Sequence, residues 1–260
     1  SRAEALALRC APIQVNWLGY AGTMGWHGLA DFLIGDAVVT PLADQKWYSE
    51  RLKLMPNSFM PADTRHHVGP IPTKESLGVS ADAFIVCSFN NGYKLNPPLF
   101  DLWCGLLRRM PKATLWLSQG NDTLRGNLRN EAEQRGVDGS RLVFATHAAD
   151  RADYLARISL ADVALDPFPY NSHSTGVDAL FAGVPLVAKM GETFPARVGA
   201  SLLRAAGLPE LIAASDEDYA EKVVALYEDR SLLAEFRQRL ADARQTAPLF
   251  DMQGFARDLE

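Results

Sequence analysis

The sequence predicts an α/β fold built on a doubly wound parallel sheet, and three observations lead there. Short, continuously apolar runs recur at 84–89, 114–117, 141–145, 163–165, 185–188 and 211–213. Each is separated from the next by a segment with helical periodicity or helix-stop chemistry. Continuous rather than alternating apolar strands are the mark of a sheet buried on both faces, and their alternation with helices requires right-handed βαβ crossovers.

The amino-terminal part is less regular. Residues 12–18 alternate apolar and polar as a strand does, then run into a glycine-rich loop at 19–25. A short strand is expected at 32–34, a further apolar run at 38–39, a helical stretch over 42–52, and then Leu54-Met55-Pro56. From 59 to 74 proline, histidine, glycine and threonine dominate with little periodicity. That composition marks a linker, and the domain boundary is placed there, giving units 1–68 and 69–260.

Beyond it each element follows in order. Phe84–Phe89 reads as a strand. Pro97-Pro98 suits a helix start, and Leu99, Leu102, Trp103, Leu106 and Met110 then fall on one face. A strand at 114–117, a helix over 123–135 stopped by Gly136 and a strand at 141–145 come next. A helix over 150–159, a strand at 163–165, a helix over 175–181 closed by Gly183 and a strand at 185–188 continue the pattern. A helix over 196–206 closed by Gly207, a strand at 211–213 and helices over 216–227 and 231–243 complete it, with Asp216 as a candidate N-cap.

Composition limits the function classes. The 260 residues carry 26 basic and 31 acidic side chains, a net charge of −5, which argues against general nucleic-acid binding through a basic surface. Three cysteines without ligand-like spacing argue against a disulfide scaffold or zinc site and fit a reducing cytoplasm. No apolar stretch is long enough for a membrane span, and no signal peptide opens the chain. His66-His67 stands in the linker without a third ligand in view, and no metal site is expected. Residues 3–9 look like the middle of a helix, so the chain is expected to be cut from a longer one.

Doubly wound sheets bind ligands at the carboxyl ends of their strands, which directs attention to the loops after Phe89, Ala145 and Leu165. The last runs from Asp166 through Tyr170, His173, Ser174 and Thr175 into a helix. Small hydroxyl residues at a helix N-terminus leave N–H groups facing an anion, and Asp178 one turn in can accept from sugar hydroxyls. Simple N-capping by Ser174 or Thr175 explains the same residues. After Phe89 come Asn90-Asn91-Gly92-Tyr93-Lys94. Lys94 either reaches into the crevice or is a solvated lysine in an Asn-Gly turn. After Ala145, backbone near Ala149 can read a base edge, with Arg151, Tyr154 and Arg157 beside it at helical spacing. An ordinary exposed helix face accounts for them equally well. No Asp-X-Asp motif of the metal-dependent sugar-nucleotide type, no Walker loop and no Gly-X-Gly-X-X-Gly motif is read in the sequence.

Together these loops, in this order, resemble the catalytic region of the O-linked N-acetylglucosamine transferases, with the bacterial members closer than the animal ones. The likeness is most specific in Leu160–Asp166 and Asn171–Pro185, continues through Gly191-Glu192-Thr193 and Arg197-Val198, and reaches back to Ala11–Gln14 and Trp17–Tyr20. It implies the carboxyl-terminal Rossmann-like lobe of a GT-B glycosyltransferase, preceded by the tail of its amino-terminal lobe. It implies inverting, metal-independent transfer of N-acetylglucosamine from UDP-GlcNAc to serine or threonine of a protein or peptide acceptor, with no cofactor. By position, Lys94 matches the lysine that stabilises the departing UDP. His173, Ser174 and Thr175 match the phosphate-binding His-Thr-Thr segment, with serine for the first threonine, and Asp178 matches the ribose carboxylate. Arg157 and Ala149 match residues at the uracil. Tyr154 stands for a histidine there and Arg151 for a lysine. Asn91 replaces a glutamine, and Tyr170 a small residue near the sugar. The family's upstream lobe supplies a further histidine and is preceded by tetratricopeptide repeats. The chain is therefore expected to bind UDP and to need that part for turnover. A UDP-GlcNAc 2-epimerase or another UDP-sugar enzyme of this architecture, or a non-catalytic UDP-binding module, are the alternatives.

Overall fold

The computed structural model describes residues 2–146 and 148–260; Ser1 and His147, both in stretches read above, lie outside the described residues. The continuous apolar runs form a six-stranded parallel sheet of β4 (Phe84–Ser88), β5 (Ala113–Leu117), β6 (Leu142–Phe144), β7 (Val163–Leu165), β8 (Leu186–Lys189) and β9 (Ile212–Ala213). Its order is β6-β5-β4-β7-β8-β9. All five residues of β4 are buried, as a central strand covered on both faces requires. The strand order reverses between β4 and β7, which makes their carboxyl ends the topological switch point.

The helices are α1 (Pro97–Arg109), α2 (Asp122–Gln134), α3 (Arg151–Ile158), α4 (Ser174–Phe181), α5 (Val198–Ala205), α6 (Asp216–Glu228), α7 (Arg230–Thr246) and α8 (Met252–Leu259). Leu99, Trp103 and Leu106 on the predicted face of α1 are fully buried. Gly136, Gly183 and Gly207 follow α2, α4 and α5 with positive φ, the conformation expected of helix-stopping glycines. The N-cap of α6 is Ser215, whose hydroxyl accepts from Asp218 N; Asp216 is instead the first helical residue, where it faces the positive end of the dipole. Helix α8 was not legible in the sequence.

A second, three-stranded parallel sheet has the order β1-β2-β3, from β1 (Val15–Asn16), β2 (Phe32–Asp36) and β3 (Arg51–Met55). Here the sequence expectations need correction. Val38 and Val39 are a turn rather than a strand, because their N–H groups both donate to Asp36 Oδ1 at 2.9 Å. The helix expected over 42–52 is a 3₁₀ segment that ends at Trp47. The Gln45 amide ends it by donating to Glu50 O and accepting from Leu52 N, so residues 51–55 pair with β2 as a strand. Of the stretch 12–18, only Val15 and Asn16 join the sheet.

The two sheets are tied together through buried polar contacts. Ser201 Oγ on α5 donates to Asp36 Oδ2 at 2.6 Å, and Ser58 Oγ lies 3.1 Å from Ser201 Oγ. Arg197 pairs with Asp44 at 2.7 Å. The stretch from 59 onward lacks regular structure until residue 75 but is not loose, since Phe59 is buried edge-on against Phe194 at 4.9 Å. Helix α8 returns to the three-stranded sheet, stacking Phe255 on Trp17 at 6.0 Å. No described helix is long and apolar enough to cross a membrane.

Candidate functional site

At the switch point the loop after β4 meets the loop after β7. Lys94 Nζ donates to Asn171 O at 2.8 Å and to Asn90 Oδ1 at 3.1 Å, and lies 4.6 Å from the centroid of the Tyr170 ring. Each of these partners is neutral, so the ammonium charge is held in place without being cancelled. Burial lowers the Lys94 pKa, and Asp166 opposes that shift. Tyr170 stacks on His173 with centroids 5.2 Å apart.

His173 is the N-cap residue of α4, yet its side chain makes no capping bond. By contrast, Asn96, Asn121, Asp150, Ser215, Asp229 and Asp251 each cap their helices with a side-chain oxygen. The amino end of α4 therefore keeps its dipole uncompensated by a side chain. His173 Nε2 is buried and has no hydrogen-bond partner among the described residues. Burial and the neighbouring Lys94 charge hold the imidazole pKa down at about 4, so it is neutral at pH 7. Thr175 Oγ1 donates to Asn90 Oδ1 at 3.1 Å. A lysine, a neutral half-buried imidazole and an uncapped helix end thus share one corner, a set suited to an anion.

Beneath this corner Asp166 is fully buried. Its Oδ1 accepts from Ser172 N at 2.5 Å, while Oδ2 has no partner among the described residues. Burial pushes the carboxyl up to about 7. Position 199 must be glycine for the same reason: a Cβ there would collide with Asp166 Oδ2 and the Ala188 side chain.

Next to the corner, the carboxyl ends of β4, β5 and β6 and the face of α3 enclose a cavity of about 420 Å³. Phe89, Trp116, Arg151, Tyr154 and Arg157 line it. Phe89 stands edge-on to Trp116 at 4.9 Å and to Tyr154 at 6.4 Å, giving the cavity an aromatic wall. Arg157 is fixed by Asp153 at 2.8 Å and by Thr146 Oγ1 at 2.7 Å. Arg151 holds the Asp178 carboxylate of α4 through both guanidinium nitrogens, which connects the cavity to the anion corner. Burial, and secondarily Asp178, raises the Tyr154 pKa, so its phenol stays protonated.

The glycosyl transferase family 41 profile matches residues 1–71 and 65–259. The chain belongs to this family. Among its relatives is the probable UDP-N-acetylglucosamine–peptide N-acetylglucosaminyltransferase SEC of Arabidopsis thaliana, 34% identical over all of this chain and 27% of that protein. The UDP-N-acetylglucosamine–peptide N-acetylglucosaminyltransferase of Caenorhabditis elegans is 28% identical over all of this chain and 32% of its own length. A mutant O-GlcNAc transferase of Thermobaculum terrenum superposes with a TM-score of 0.85 at 32% identity, covering 99% of this chain and 49% of that one. Sucrose-phosphate synthase of Thermosynechococcus elongatus shares the GT-B fold, with a TM-score of 0.60 at 18% identity over 88% of this chain and 58% of that one. This family 41 chain therefore spans about a third or less of these curated relatives.

Within the family 41 chain, the residues singled out in the sequence divide into groups. Lys94, Tyr170, His173 and Thr175 converge on the anion corner, with Ser174 exposed beside them at the start of α4. Arg151, Tyr154 and Arg157 line the cavity, and Asp178 is buried against Arg151. The Ala149 N–H is already taken by Asp153 Oδ2 at 2.9 Å, which leaves only its carbonyl to face a ligand. Asn91 is exposed, and its carboxamide turns back to Tyr93 N rather than toward Lys94. Sequence reasoning missed Asn90 and Asp166 as members of the site. The available signal was their position, immediately past the ends of the two strands that flank the switch point.

Proposed function

We propose that this chain is the donor-binding lobe of a protein N-acetylglucosaminyltransferase. The observation that carries this reading is Lys94, held by neutral partners at the uncapped end of α4 beside an aromatic-walled cavity. A uridine diphosphate matches that arrangement, with its base in the cavity and its diphosphate at the corner. The relatives, which are UDP-N-acetylglucosamine–peptide N-acetylglucosaminyltransferases by name, support this choice of donor and acceptor class.

In this reading an acceptor serine or threonine oxygen bonds to the anomeric carbon as the bond from that carbon to the diphosphate breaks. The electron pair goes to the diphosphate, the acceptor hydroxyl gives up its proton to the departing diphosphate or to water, and configuration inverts. Lys94 and the N-terminus of α4 offset the charge as it develops on the leaving group. The neutral His173 adds no competing positive charge and has Nε2 open to one hydrogen bond. The reaction calls for no metal or cofactor. Residues 1–68 serve as the tail of a preceding catalytic lobe, and that lobe, with helical repeats before it, brings the acceptor. The exposure of Leu8, Ile13, Tyr20, Trp26, Leu42 and Trp47 around the small sheet supports such a covering.

The test is UDP-GlcNAc consumption on a peptide acceptor by the full-length protein and its Lys94→Ala variant. Loss of about 10²-fold or more in kcat is expected. Near wild-type transfer overturns the role, and conversion of the donor without acceptor points instead to an epimerase or hydrolase.

A further inference from the structure

Asn90 is buried at the end of β4, with 7% of its surface exposed, and its carboxamide has every hydrogen-bonding position filled. Oδ1 accepts from Lys94 Nζ and from Thr175 Oγ1, both at 3.1 Å. Nδ2 faces Ser172 Oγ at 2.8 Å and Ser88 Oγ at 3.3 Å. Its backbone carbonyl accepts from Ser118 Oγ at 2.7 Å, which anchors the residue to the loop after β5. One side chain thus joins the lysine of the first switch loop to the hydroxyl on the first turn of α4.

We propose that Asn90 is the positioning residue that aims Lys94 and Thr175 at the diphosphate; this rests on the reading of the site given above. An amide suits this position for an electrostatic reason. A carboxylate of the same shape would bond the same lysine but would neutralise it and repel an incoming anion. An apolar residue would leave the ammonium to Asn171 O and the Tyr170 ring, with no link to α4. The Asn90 oxygen constrains two donors without spending the charge of either. It acts through Lys94 and Thr175 and is therefore not itself a catalytic residue.

The experiment is calorimetric titration with UDP and with uridine, on the wild type, Asn90→Ala, Lys94→Met and the double variant. Asn90→Ala is expected to weaken UDP by about tenfold and to leave uridine within about twofold. In the Lys94→Met protein the same substitution is expected to change UDP affinity by less than about threefold, because only the Thr175 hydroxyl is left for it to position. Equal losses for UDP and uridine, or an undiminished loss in the Lys94→Met protein, would overturn the proposal. Should Asn90→Ala fail to fold, Asn90→Asp keeps the shape and is expected to weaken UDP by more than about tenfold with uridine unchanged. UDP binding equal to wild type in that variant overturns it as well. A wild type that binds neither ligand overturns the donor-site reading and this proposal with it, whereas failure of the variants alone overturns only the role of Asn90.

Discussion

Arg151 on α3 grips the carboxylate of Asp178 on α4 with both terminal nitrogens, and Asp178 is only 4% exposed. The pair clasps the two helices that carry the cavity and the anion corner, so the spacing between cavity and corner depends on it. Arg151→Ala leaves a buried carboxylate without its main partner. The expected loss is about 1–3 kcal/mol by urea unfolding, the lower end reflecting the partial exposure of Arg151. Adding Asp178→Asn removes the stranded charge and should restore part of it. No recovery in the double variant contradicts this account.

Asp36 plays the corresponding role between the two sheets. It is fully buried and accepts from Val38 N, Val39 N, Phe59 N and Ser201 Oγ. Ser201→Ala removes one of these donors and should cost about 1–2 kcal/mol. Asp36→Ala strands the three N–H groups together with the Ser201 hydroxyl and should cost about 3 kcal/mol or more. Equal effects of the two substitutions, measured by denaturant midpoints at constant slope, would show that the cluster does not act as described.

Asp166 gives the fold a dependence on pH. Its carboxyl is held at about 7, against an ordinary value near 4. Between those values the folded chain keeps a proton that the unfolded chain has released. Its contribution to stability therefore falls as pH rises from about 4 to 7 and is level above that. His173, lowered to about 4, works in the opposite sense, because between about 4 and 6.5 the unfolded chain binds the proton. The two partly cancel in the wild type. The difference between Asp166→Asn and wild type isolates the carboxyl, and it should grow in favour of the variant by a few kcal/mol from pH 4 to 7. A difference independent of pH contradicts the assignment.

What the sequence disclosed depends on how far each signal reaches along the chain. The strands of the larger sheet and α1 were legible because burial on both faces, or on one helical face, leaves a local pattern. Lys94, His173 and Thr175 stood out because strand ends at a switch point are where such sheets bind ligands. The Asn90 contact with Ser172 spans 82 residues and leaves no periodic trace. Asp166 reads as one more loop acid until burial is known. The helix expected over 42–52 runs into the first two residues of β3; the Gln45 amide that ends the 3₁₀ segment is a side-chain effect invisible to periodicity. Helix α8 gains its place from Trp17, far away in the chain.

The central claim is that Lys94 confers recognition of the diphosphate while the cavity beside α3 receives the base. Titrating UDP and uridine into the wild type and Lys94→Ala tests it most directly. The account predicts a UDP affinity lower by about 10- to 100-fold in the variant, with uridine binding unchanged within about twofold. Unaltered UDP affinity, or equal weakening of both ligands, would contradict it.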